Sequence, residues 1–242
     1  MVDNPTRGDT LDANLRTDTI MGERIKLNTA GMHCIGAYLA KPAGKPQGGV
    51  VVVQEIFGVN AHIRSVADTY AAHGYTAIAP AFFDFVENDV ELVYDKAGID
   101  KGRDLAMEVG LDRAVEAVAS AAESIRSSGK CGVVGYCWGG TVALRAAQVL
   151  ALPASSYYGA RNVGFLDQPL KAPTIFHFGA NDPSIPPEAI AKQRAAWPGA
   201  PIHVYEHCGH AFNRDADAHA YNAAAAKLAL QRTLDLFAKN LT

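Results

Sequence analysis

Gly132-Val133-Val134-Gly135-Tyr136-Cys137-Trp138-Gly139-Gly140 is a short apolar run that breaks among glycines and then continues in helix-forming residues toward Leu150. The apolar run predicts a strand over 132–135, and the residues past the break predict a helix from Gly139 to about Leu150. Cys137 stands at the junction. A side chain on a strand-to-helix turn bracketed by glycines projects above the sheet at a helix N-terminus, where free N–H groups and the helix dipole favour an anion. The thiolate is the reactive form of a cysteine, so the position suits a nucleophile.

The same strand-then-helix alternation extends outward from this junction. Upstream, Gly49-Val-Val-Val-Val53 is a wholly apolar β-branched run, as expected of a parallel strand covered on both faces. After a possible cap at Asn60, Ile63, Val66, Ala67 and Tyr70 mark one helical face that His73-Gly74 closes. A strand over Tyr75–Ala79 and a long helix from about Lys101 to Ser128 come next, with Phe82–Asp100 the least regular stretch and a candidate pocket wall. Downstream, strands are expected over Ala154–Tyr158, Thr174–Phe178 and Ile202–Glu206. A last helix sets Leu230, Leu234 and Phe237 against a face of Lys227, Gln231, Asp235 and Lys239. Arg24–Leu27 and His33–Leu39, joined by the turn residues Asn28 to Gly31, read as a hairpin. The expected fold class is therefore α/β: a mostly parallel sheet covered by helices on both faces, with an antiparallel N-terminal edge.

The chain has 242 residues, 49% of them hydrophobic, which fits one domain over 23–242 behind a polar lead over 1–22. Lys plus Arg number 22 against 25 for Asp plus Glu, a net charge of −3, so no basic excess is available for nucleic acid. The first 23 residues hold no signal-peptide core, and no apolar run approaches the roughly 20 residues of a membrane span. A soluble, cytoplasmic protein is expected, with neither membrane nor nucleic acid as partner, and as a monomer. Four cysteines in a chain this long do not make a disulfide scaffold, and Cys34 and Cys131 read as small core residues.

Partners for Cys137 come in a telling order. An α/β-hydrolase places nucleophile, acid and histidine in that chain order on loops after successive strands, because those loop ends converge at one edge of the sheet. Asp182 follows the strand 174–178, and His210 follows the strand 202–206. Asp182 would orient the imidazole, and His210 would take the thiol proton and later return it. The loop after Val53, Gln54-Glu55-Ile56-Phe57-Gly58-Val59-Asn60, would lend the Ile56 N–H to an oxyanion hole completed by the Trp138 N–H. Glu55 would overhang the same pocket, or serve only as a first-turn carboxylate near a helix start. His203, His207, Cys208 and His210 also crowd together, but they match no standard zinc spacing, so no metal is expected.

With these stretches in view, the chain resembles the dienelactone hydrolase family, α/β-hydrolases with a cysteine nucleophile. The resemblance rests on Gln54–Asn60 and Gly135–Gly140, and is supported by Tyr157-Tyr-Gly159, the Asn181-Asp182 loop and Gly209-His-Ala-Phe212. It implies hydrolysis of an enol lactone or activated ester, as in dienelactone to maleylacetate, without a cofactor. It further implies a triad of Cys137, His210 and Asp182, and a Glu55 that helps activate the thiol when substrate arrives. Phe57, Tyr158, Phe85 and Arg214 are the implied substrate contacts, Phe85 standing where a second carboxylate-binding arginine is expected; Arg103 is a candidate to reach in instead. Trp138 is bulkier than the usual residue after the cysteine, and Ala211 lacks a hydroxyl found beside the family histidine. A cysteine suits an enol ester: thiolate is a good leaving group, so only a substrate whose own leaving group departs readily goes forward to the acyl-thioester. A thioesterase or general carboxylesterase on the same scaffold is the alternative enzyme, and a ligand-binding or redox-sensing relative the non-enzymatic one.

Overall fold

The computed structural model describes residues 22–242, so the polar lead expected over 1–22 lies almost wholly outside the described residues. One sheet of eight strands runs through the molecule: β1 (Glu23–Asn28), β2 (Cys34–Ala40), β3 (Gly49–Val53), β4 (Thr76–Pro80), β5 (Cys131–Tyr136), β6 (Ala154–Tyr157), β7 (Thr174–Gly179) and β8 (Ile202–Tyr205). Their spatial order is β1-β2-β4-β3-β5-β6-β7-β8. β1 pairs with β2, and β2 with β4, antiparallel; every pairing from β4 to β8 is parallel. The expected antiparallel edge is thus in place. Cys34, read as a core residue, is instead exposed at the start of β2, because that strand begins beside the open hairpin turn.

Period-two alternation divides the core. Val50, Val52, Val134 and Tyr136 face α1 (Ala61–Ala72) and α5 (Ala223–Leu241). Val51, Val53 and Val133 face α2 (Lys96–Ser124) and much of α3 (Trp138–Val149). A strand covered on both sides must be apolar at every position, which is why β3 contains nothing but glycine and valine. α4 (Pro187–Ala196) supplies Ile190 to the first of these layers.

The helix starts follow local capping. Asn60 accepts from the Ile63 N–H at 3.2 Å to open α1, as expected. α2 begins five residues before the expected Lys101, because Asp95 caps it by accepting from Gly98 N–H at 2.7 Å. Gly98 and Gly102 concealed that turn from propensity, yet packing requires them: a Cβ on Gly102 would lie 1.9 Å from the Ile56 carbonyl oxygen. α2 is broken at Gly110 (φ 71°) and ends at Ser124, short of the expected Ser128, the residues 126–128 forming a 3₁₀ turn. Of the stretch expected to be irregular, 96–100 is helical and 82–85 is a 3₁₀ turn.

Candidate active site

β5 ends at Tyr136, and Cys137 takes φ 56°, ψ −116° before α3 begins at Trp138. A left-handed backbone at a residue with a Cβ is held only where the surroundings over-determine it. Here neighbouring glycines permit the bend. A Cβ on Gly135 would lie 1.8 Å from the Gly139 carbonyl oxygen, and one on Gly139 would lie 2.5 Å from the carbonyl oxygens of Val53 and Gln54. The turn therefore presses on the end of β3, where the second loop of the site begins.

Hydrogen bonds across the strand ends fasten the remaining loops. Cys137 N–H donates to the Tyr157 carbonyl at 3.1 Å, Tyr158 N–H to that of His177 at 2.8 Å, and Asn181 N–H to that of Cys208 at 2.8 Å. These bonds step from the cysteine turn through β6 and β7 to the loop after β8. Asp182 Oδ1 accepts from Ser184 N–H at 2.8 Å, and Oδ2 meets His210 Nδ1 at 2.7 Å. With Nδ1 committed to the carboxylate, Nε2 is the ring nitrogen free to exchange a proton. The His210 pKa is raised to about 10: burial works against the charged ring, but the charge of the Cys137 sulfur and then Asp182 outweigh it. No hydrogen bond of standard geometry joins that sulfur to the ring in this state.

Cys137 and His210 line one cleft of about 280 Å³, together with Ile56, Phe57, Trp138 and Arg214. Among the described residues, neither the Ile56 nor the Trp138 backbone N–H donates to a protein acceptor, as an oxyanion hole requires. The indole of Trp138 packs edge-on to Phe82, ring centres 5.7 Å apart, filling space on the α2 side. A second hollow of about 240 Å³ by β1 and β2 includes Arg24, Asp84 and Glu91 but no cysteine, serine or histidine.

Three expected site residues, Glu55, Tyr158 and Phe85, sit differently from the sequence reading, while Arg214 lines the cleft as expected but is paired there. Glu55 is fully buried behind the cleft and bound through both oxygens by Arg214, Nε and Nη2 each at 3.0 Å. Arg214 lines the cleft wall with three of its five N–H donors directed to Glu55 and, at 3.3 Å, to Asp217, and its guanidinium lies 4.4 Å from the Tyr94 ring centre. Burial disfavours its charge, but Glu55 outweighs this and raises its pKa. Tyr158 is buried rather than facing the cleft; it supports the His210 ring at 5.0 Å between centres, with backbone φ 39°. Phe85 is absent from the cleft wall and packs edge-on to His33 at 5.2 Å, because the 3₁₀ turn 82–85 directs it toward the β1–β2 hairpin end. His203 stacks on His177 and Cys208 is buried, away from any shared ligand geometry with His210; among the described residues no group of three His, Cys, Asp or Glu could hold a metal.

The sequence reading missed Tyr94, Ile99, Ala106, Thr141, Arg161 and Ser184. Ile99, Arg103 and Ala106 recur at helical spacing, but that signal was lost with the early start of α2.

The model of the dienelactone hydrolase family matches residues 35–241. The chain belongs to the dienelactone hydrolase family. Carboxymethylenebutenolidases from Pseudomonas putida and Pseudomonas knackmussii are each 34% identical to it over 233 residues, covering 90% of this chain and 97% of theirs. A crystal structure from Klebsiella pneumoniae, provisionally named a dienelactone hydrolase, superposes with a TM-score of 0.79 at 28% identity, covering 91% of this chain and 99% of that one. A dienelactone hydrolase-like promiscuous phosphotriesterase from metagenomic libraries shares the fold with a TM-score of 0.74 at 20% identity, covering 92% of this chain and 100% of that one. This dienelactone hydrolase family member is accordingly a hydrolase of the dienelactone hydrolase type. No helix among its described residues is long and apolar enough to cross a membrane.

Proposed function

We propose that the protein hydrolyses an enol lactone or comparably activated ester, of the dienelactone-to-maleylacetate type, through Cys137, His210 and Asp182. The observation that carries this reading is the cysteine held at φ 56° in the cleft that also receives an imidazole bound to Asp182 at 2.7 Å. The thiolate attacks the lactone carbonyl, and the oxyanion is received by the N–H groups of Ile56 and Trp138. The intermediate collapses by breaking the acyl–oxygen bond; the enolate leaves and takes the proton held by His210 to become the ketone, which leaves the ring neutral, while the acyl group remains as a thioester. Water adds to the thioester with its proton passing to His210, and the acid is released as the thiolate reforms. Sulfur departs more readily than an alkoxide or amide, so unactivated esters and amides revert rather than react.

Glu55 enters this reading through its tie to Arg214. It reaches the thiol only by exchanging that partner, which makes substrate arrival the natural trigger. All four cysteines are free, which suits a reducing compartment such as the cytoplasm, and we assign the working unit to a single domain over 23–242 acting as a monomer. The test is turnover of an enol lactone followed by mass spectrometry of the quenched protein. An acyl adduct on the Cys137 peptide, absent from Cys137→Ala together with turnover, is expected; full activity in Cys137→Ala refutes the mechanism.

A further inference from the structure

A buried hydrogen-bonding group without a partner is uncommon enough to need a reason. Two such groups stand one turn apart on α3: the Nε1–H of Trp138 and the hydroxyl of Thr141 are buried and have no partner among the described residues. The two residues are 6% and 0% exposed, and both line the cleft that holds Cys137. Three positions apart on a helix, they share a face.

Counterparts elsewhere in the chain are satisfied from within it. The Nε1–H of Trp197 donates to the Gln168 carbonyl at 3.1 Å. Thr69 and Thr233 donate to carbonyls four residues back, Ser65 at 2.8 Å and Ala229 at 3.0 Å, a bond open to any threonine inside a helix. Thr141 makes no such bond to Cys137, whose carbonyl accepts instead from Gly140 N–H at 3.0 Å. Around Trp138 the packing is aromatic: Phe82 and Phe83 lie 5.7 and 6.4 Å away between ring centres and offer no oxygen. A buried N–H and a buried hydroxyl left unmet cost stability that a phenylalanine and a valine at these positions would not. The oxyanion N–H needs no indole, since any residue after the nucleophile supplies it.

We infer that the Trp138 indole N–H and the Thr141 hydroxyl form a specificity subsite for an uncharged oxygen acceptor, an ether or carbonyl oxygen carried by the acyl part of the substrate close to the carbonyl under attack. The inference rests on the proposed reading of the Cys137 cleft and names a feature of its substrates. Closeness to the reacting carbonyl follows from the chain, because Trp138 is bonded to the nucleophile's own residue and Thr141 stands one turn further on. An uncharged partner follows from the donors: neither carries a charge, and an anion seated on two neutral groups beside phenyl rings would lose its hydration without compensation. A site built to hydrogen-bond an oxygen discriminates strongly against the analogue that lacks it, because its own buried groups are then left unpaired.

Binding tests this apart from turnover. Methoxyacetamide and butanamide, like 3-methoxypropanamide and pentanamide, differ only in an ether oxygen standing in place of a methylene. In a nitrogen–proton NMR correlation spectrum the Trp138 indole signal, assigned by its loss in Trp138→Phe, is expected to move downfield with an ether amide and little with its hydrocarbon twin, while that of Trp197 stays in place. The affinity ratio within a pair is expected to fall about threefold in Trp138→Phe or Thr141→Val and about tenfold in the double variant, with Thr141→Ser keeping the wild-type ratio. Thr141→Val removes only an unmet hydroxyl and is expected to lose no stability, so it carries the test by itself if Trp138→Phe does not fold. In parallel, the preference in kcat/KM for 4-nitrophenyl 3-methoxypropanoate over 4-nitrophenyl pentanoate is expected to fall in the same order; the ratio cancels any shift of the Trp138 backbone N–H, which both esters share. An affinity ratio unchanged by these substitutions in both amide pairs overturns the inference, whatever the esters do. A ratio that falls, alongside a wild type that hydrolyses neither ester, upholds the subsite and instead counts against the proposed hydrolysis.

Discussion

Cys137 holds its left-handed backbone without a glycine's freedom, and the cost, of order 1–3 kcal/mol, is borne by the packing around it. Cys137→Ser keeps that geometry, so the variant should fold with an unchanged melting temperature to within a few degrees while hydrolysing enol lactones far more slowly. His210 gives a second residue-scale prediction. Its pKa lies above the ordinary histidine value, so the charged ring stabilises the native state in full below about pH 6.5, and that contribution is lost as pH rises through about 10. The His210 ring proton, followed by NMR, should therefore titrate near pH 10, and markedly lower in Cys137→Ala, where the largest upward influence is gone. A wild-type midpoint near the ordinary histidine value contradicts the coupling. The Glu55–Arg214 pair belongs to the same scale: with 1% and 9% of the side chains exposed, Arg214→Met strands a buried carboxylate and should cost roughly 3–5 kcal/mol in chemical denaturation. Glu55→Gln with Arg214→Met should recover part of that loss.

At the scale of elements, α2 and α5 are fixed by unlike means. α2 is seated by absence of a side chain. Alanine is the better helix former by about 1 kcal/mol, but a Cβ 1.9 Å from a backbone oxygen cannot be relieved by a rotamer, so packing wins. Gly102→Ala should lower stability by roughly 1–3 kcal/mol and reduce kcat, because the displaced helix moves the loop that carries the Ile56 N–H. α5 is tied by polar groups instead. Thr233 Oγ1 meets Ser155 Oγ and Tyr157 Oη at 2.9 Å each and His177 Nε2 at 3.3 Å, all buried. Thr233→Val leaves these groups short of a partner and should cost about 1–3 kcal/mol, read from the denaturant midpoint, with kcat at low temperature retained; an unchanged midpoint would mean that water or another hydroxyl replaces the threonine.

Across the whole molecule, parallel strands β3 and β5–β8 bring the loops of the site to one edge of the sheet, although Glu55 and Arg214 are 159 positions apart. The strands, their faces and the strand-to-helix position of Cys137 were readable because apolar runs, glycine breaks and helical spacing are local signals. So was the order of Cys137, Asp182 and His210, since a parallel sheet puts successive strand ends on the same side. The early turn of α2 was hidden by Gly98 and Gly102, which satisfy contacts with Val93 and Ile56 rather than helix propensity. Phe85 was misplaced for a related reason: composition does not tell which way a short 3₁₀ turn points. By itself the sequence determined the layers of this protein and which loops meet at the site. Only the tertiary structure decided that Arg214 is paired with Glu55 and that Tyr158 backs the histidine. Ion pairing and side-chain direction depend on distances across elements, and no local pattern encodes these.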